Sequence, residues 1–76
     1  MRDSATELVV DGRGLEPPQP MELALAALEE LQPGQSLRFL IHRQPYPLYD
    51  LLRRHHYHYE TTALAEGGFA ILISKL

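Results

Sequence analysis

The sequence predicts a small α/β (α+β) two-layer sandwich, with a four-stranded mixed sheet and both helices on one face. The apolar period switches between two and three-to-four residues in the order β-α-β-α-β-β along 76 residues. Only two helical stripes occur, enough to cover one face of a sheet. The first helix lies between two strands, which implies a right-handed parallel crossover. The last two strands are joined by a glycine turn, which implies an antiparallel hairpin.

Each element has a local reason. Residues 1–5 are polar and expected to fray. Glu7 to Val10 is expected as the first strand, because Val9 and Val10 are β-branched and Asp11-Gly12 ends the run. Pro17, Pro18 and Pro20 stiffen the connection that follows. A helix is expected from Pro20 to Gln32, with Gln19 as a mediocre N-cap. Met21, Ala24, Leu25, Leu28 and Leu31 form its apolar stripe, and Glu22 favours its N-terminal dipole. Pro33-Gly34 stops it. Ser36 to His42 alternates as the second strand. Pro47 to His56 is expected as the second helix, with a stripe of Leu48, Leu51, Leu52 and His55. Tyr57 to Thr62 and Phe69 to Ser74 are expected as the third and fourth strands around a Glu66-Gly67-Gly68 turn.

The totals exclude several functions. A chain of this length makes one domain, taken as residues 1–76, and buries only about 60% of its unfolded surface. It has no cysteine, so thiol catalysis, cysteine-bound zinc and Fe–S clusters are excluded. A net charge of −3 argues against a general nucleic-acid binder. The N-terminus is no signal peptide, and Met21 to Leu31 is too short and too charged to span a bilayer. A cytoplasmic protein with no membrane association is expected.

The loop Asp11-Gly12-Arg13-Gly14-Leu15, followed by Pro18-Gln19-Pro20, resembles the signature of the TusA/SirA-like sulfur-carrier family, roughly Asp-x-Arg-Gly-Leu-x-Cys-Pro-x-Pro. Pro33-Gly34-Gln35-Ser36-Leu37 is similar to that family's Pro-Gly-(Glu/Asp)-x-Leu turn. The resemblance implies the same β-α-β-α-β-β sandwich. The carrier's cysteine, which becomes a persulfide, falls on Pro17, so sulfur transfer does not carry over. A closer resemblance is to a cysteine-free relative, the uncharacterised family called domain of unknown function 2249. It extends to a second motif, His42-x-x-Pro45-x-Pro47-Leu48-Tyr49, and covers nearly the whole chain. That family implies a fold and no settled activity.

Candidate functional residues concentrate in the two motifs. Asp11 can organise the first loop by accepting backbone N–H groups. Arg13 can pair with Asp11 or Glu16, or reach a ligand carboxylate or phosphate. Pro17 stiffens a possible docking edge, and the proline run with Glu22 weakens the helix start as an anion cradle. With His42, Arg43 and Tyr49 these residues form the expected ligand or partner surface.

His42, His55 and His58 are the candidate ligands for a transition metal or haem, since imidazole suits Zn, Cu, Ni and haem iron. The alternative is ordinary: His42 bonds a loop backbone, His55 caps a helix, and His56 and His58 face water. Arg38, Arg43, Arg53 and Arg54 with Tyr57 and Tyr59 offer a weak case for single-stranded nucleic acid. No nucleophile–base pair, Walker lysine or complete dinucleotide glycine motif is visible. The expectation is a non-enzymatic binding or interaction module with no cofactor. Its expected partner is another protein, or a second copy in a weak homodimer. The outward set Val9, Leu40 and Leu72 is the expected apolar patch, and the third strand the expected free edge.

Overall fold

The computed structural model describes residues 7–75; the expected fraying of residues 1–5 lies outside them. Six elements follow the expected order: β1 (Glu7–Asp11), α1 (Gln19–Glu30), β2 (Ser36–Ile41), α2 (Tyr46–Arg54), β3 (Tyr57–Ala63) and β4 (Phe69–Lys75). The sheet order is β1-β2-β4-β3. β1 pairs with β2 in parallel, while β4 runs antiparallel to both β2 and β3. β3 is therefore parallel to β2, with β4 inserted between them. β4 takes the inner position because Ala70, Ile71 and Ile73 are buried there. β3, which carries His58, Glu60, Thr61 and Thr62, takes the edge.

The strand register separates two faces. Leu37, Phe39, Ile71 and Ile73 point to one side and form a single cluster with Ala24 and Leu28 of α1, Leu31 just beyond it, and Leu48, Tyr49 and Leu52 of α2. Both helices therefore cover the same face. Among the described residues no polar or charged side chain is buried apart from the hydroxyl-bearing Tyr49. Among the described residues no helix is long and apolar enough to cross a membrane.

Both helices start from a Pro-x-Pro sequence. Pro18 is the N-cap residue of α1 and Pro45 that of α2; neither helix start has a side-chain cap bond. Proline suits the first turn because its missing N–H has no helical partner there. α1 ends at Glu30, two residues earlier than expected. Leu31 is already extended, with ψ 128°, and Pro33 disfavours helical geometry at Gln32. Lys75 Nζ donates to the Leu31 carbonyl at 3.1 Å and so satisfies an end-of-helix acceptor.

α2 also ends two residues early, with His55 as its C-cap residue. His56 follows with φ +66°. That left-handed position usually belongs to glycine. His56→Gly is expected to raise folding stability by about 0.5–1 kcal/mol, the side-chain penalty less the added freedom of the unfolded chain. A urea melt showing unchanged or lower stability would contradict the left-handed assignment.

The apolar stripe of α2 is rotated from its expected phase. Leu48, Tyr49 and Leu52 are buried, Leu51 is half-buried and His55 is exposed. Tyr49 is drawn inward by Tyr59 of β3, whose ring stacks on it at 4.7 Å with 5° between the planes. Its hydroxyl lies 2.7 Å from Thr61 Oγ1 and donates to Gln44 Oε1 at 3.2 Å.

Candidate functional site

Three parallel strands share a direction, so the segments after β1, β2 and β3 leave the sheet at one edge. Ligands in open α/β sheets commonly bind at such carboxyl ends. Here the segments are 12–18, 42–45 and the 64–68 turn. Gly12 holds the first to the second: its N–H donates to the Leu40 carbonyl at 2.7 Å. A side chain at Gly12 would meet the Phe39 ring at 3.1 Å and Pro20 Cβ at 3.2 Å. Gly68 brings the third segment against the second, close to the Ile41 carbonyl.

Asp11 and Arg13 are engaged within this edge. Arg13 donates from Nε and Nη2 to the two Asp11 carboxylate oxygens, each at 3.0 Å, and its backbone N–H donates to Asp11 Oδ1 at 3.0 Å. Arg13 Nη1 also reaches Glu66 Oε2 at 3.3 Å across 53 residues of sequence. The pair organises the loop, and its guanidinium is committed to two carboxylates.

The Arg13 side-chain bonds, then the Arg13 backbone N–H, hold the Asp11 carboxyl below its usual range. A depressed folded value adds stability above the unfolded value of about 3.9 and loses it as pH falls through the folded value. Asp11→Asn is therefore expected to be less stable than the parent at about pH 7, with the gap closing towards about pH 2. Urea melts at both pH values check this; a gap of constant size would refute the assignment.

His42 lies just past β2. Its Nε2 accepts the Gly14 N–H at 3.2 Å, which ties the second segment to the first. A neutral imidazole that accepts at Nε2 carries its proton at Nδ1. His55 and His58 lie at the far end of the molecule, where β3 begins. His55 lines a separate cleft of about 380 Å³ with Leu25, Leu51 and Tyr57. His58 is on the open sheet face, 3.7 Å from Glu60. The expected three-histidine set is thus not assembled, and no cluster of metal-ligating side chains forms among the described residues. The parallel connection from β2 through α2 to β3 carries the chain back across the sheet and separates His42 from the other two.

Between the two helix starts lies an open cleft of about 600 Å³. Pro17, Pro20, Ile41 and Pro45 supply its apolar surface, and His42, Arg43 and Gln44 its polar one. Pro17, His42 and Arg43 were expected at a binding surface and line it. Glu16 is exposed and does not line it. Tyr49 is a correction: it is only 6% exposed and belongs to the core, because Tyr59 and Thr61 hold it there. Pro20, Gln44 and Pro45 fall within the expected Asp11–Pro20 and His42–Tyr49 segments without having been singled out, and Ile41 was missed. The repeated Pro-x-Pro at the two helix starts was the available signal, since both starts follow strands of one direction.

The remaining expected surfaces are broken up. Arg38 lies between Val9 and Leu72 in the strand register and pairs with Glu7 at 2.9 Å, interrupting the apolar patch. Leu40 is half-buried. Arg53 bonds Asp50 and the Tyr59 hydroxyl on the helix side of the sheet. Arg38 and Arg53 therefore lie on opposite sides of the sheet.

The family described as "Uncharacterized conserved protein (DUF2249)" matches residues 9–75, which include both Pro-x-Pro starts and every residue lining the cleft. No curated protein and no solved structure matches the chain.

Proposed function

Because the chain belongs to the DUF2249 family, which brings no characterised activity with it, we propose from the site alone that this is a non-enzymatic binding module. Its ligand or partner engages the carboxyl-end edge of the sheet. The observation that supports this reading is the cleft of about 600 Å³ between two proline-stiffened helix starts. Its size falls within the range of about 300–1,000 Å³ common for ligand sites, and its surface is mainly apolar with a few polar groups. Prolines at Pro17, Pro20 and Pro45 hold the walls without the entropy loss that a mobile loop would incur on binding.

No catalytic role is assigned to any side chain. Pro17 stands where the resembling sulfur carriers have their cysteine, so the cleft replaces a reactive thiol with a rigid apolar wall. The cysteine-free composition suits a reducing compartment, and we place the protein in the cytoplasm on that ground.

The test is an amide-resolved NMR screen of a fragment and peptide library. Saturable shifts centred on Ile41, His42, Arg43 and Gln44 are expected. Shifts centred instead on Val9, Arg38 and Leu72 would move the binding surface to the open sheet face and overturn this reading.

A further inference from the structure

Resting on the cleft reading, we infer that the ligand is a small organic carboxylic acid with an apolar body. None of the described residues lining the cleft is acidic, although the chain as a whole carries a net charge of −3. The charged group that faces it is Arg43. Arg43 is exposed and, unlike Arg13, Arg38 and Arg53, has no ion pair or hydrogen bond among the described residues. Its guanidinium is free to bind a carboxylate through two parallel N–H bonds.

The two neighbours of Arg43 are set to donate as well. His42 accepts the Gly14 N–H at Nε2, so its remaining ring group is a donor, Nδ1–H. Gln44 uses its carbonyl oxygen to accept the Tyr49 hydroxyl proton. The same hydroxyl lies 2.7 Å from Thr61 Oγ1, where either oxygen can donate. The Gln44 amide thus turns its oxygen toward Tyr49. Its NH2 has no hydrogen-bond partner among the described residues. Three consecutive residues thus offer donors beside an apolar surface formed by Pro17, Pro20, Ile41 and Pro45. A neutral apolar ligand would leave these donors unmatched, and a cation would meet Arg43.

The test titrates the full chain with hexanoate and 4-phenylbutyrate, and with the amide of each acid, following backbone amide shifts. Saturable shifts at Ile41–Gln44 are expected for the acids, with the amides at least about tenfold weaker, in line with the strength of charge-assisted bonds. Arg43→Ala is expected to weaken acid binding by a similar factor without unfolding the domain, since the side chain is exposed and bonds none of the described residues. Gln44→Glu retains an acceptor for Tyr49 and places a negative charge at the cleft, so it is expected to abolish acid binding.

Equal affinity for acids and amides would sink the carboxylate assignment while leaving the cleft as the binding site. An absence of shifts with all four compounds, or Arg43→Ala binding as the parent does, would also overturn it. A further arm uses Ala-Leu-Val-Phe with a free or amidated C-terminus. Much tighter binding of the free peptide than of the acids would assign the carboxylate to a partner's chain end and reject the small-acid source.

Discussion

Phe39→Ala is expected to cost about 3–5 kcal/mol of folding stability, against a total of roughly 4–11 kcal/mol for a domain of this size. Phe39 is 1% exposed on the inner face of β2. In the register it stands between Val10 of β1 and Ile71 of β4, so its ring fills the middle of the sheet under both helices. The ring also packs against the backbone of Gly12. Its removal leaves a cavity in the core and withdraws the support beneath the first segment of the site. Urea denaturation of the parent and variant gives the comparison. Leu72→Ala is the control, since Leu72 is 37% exposed on the open face, and it should change stability by less than about 1 kcal/mol. A Phe39→Ala loss no larger than that of Leu72→Ala would show that the core is not centred on this ring.

Gly68→Ala is expected to cost about 2–4 kcal/mol, from two independent sources. Gly68 has φ +88°, a conformation that side chains other than glycine adopt at a cost of about 1–2 kcal/mol. An added Cβ would also stand 2.8 Å from the Ile41 carbonyl oxygen. That oxygen belongs to strand backbone and cannot move aside without displacing Ile41 and His42. Gly14→Ala separates the two sources. Gly14 has φ +81° but open space around its Cβ position, so it carries the conformational cost alone. Denaturation should rank Gly68→Ala as clearly the less stable of the two. NMR of Gly68→Ala should also show a shifted Gly14 amide, because its bond to His42 depends on where β2 ends. Equal stabilities with an undisturbed Gly14 amide would mean that the close approach of the turn to β2 is wrong.

The architecture was legible because each element carries its own signal. Alternation in Leu37, Phe39 and Ile41 marks a strand with one buried face, and Ala24, Leu28 and Leu48, Leu52 mark one buried face on each helix. The local roles of three histidines were legible as well. His42 bonds a loop backbone, His55 closes a helix and His58 is exposed. These are short-range consequences of where an element ends. The burial of Tyr49 was not legible. A hydroxyl-bearing ring is as acceptable at a surface as in a core until its partners are known, and Tyr59 and Thr61 lie on another element.

The sequence by itself determined the six elements, the two-layer class and the exclusion of cysteine chemistry, since periodicity, proline placement and composition act within a few residues. It also implied the family, through the two proline-bearing loops. Tertiary structure alone decided which loops meet. The parallel direction of β1, β2 and β3 sets both Pro-x-Pro starts at one edge, takes His55 and His58 away from His42, and commits Arg13 to Glu66 while leaving Arg43 without a partner among the described residues. Those outcomes depend on contacts between residues distant in sequence, where strand order and register set the distances. Pro17 illustrates the division: its identity removes the thiol, and the fold makes its ring one wall of a cleft.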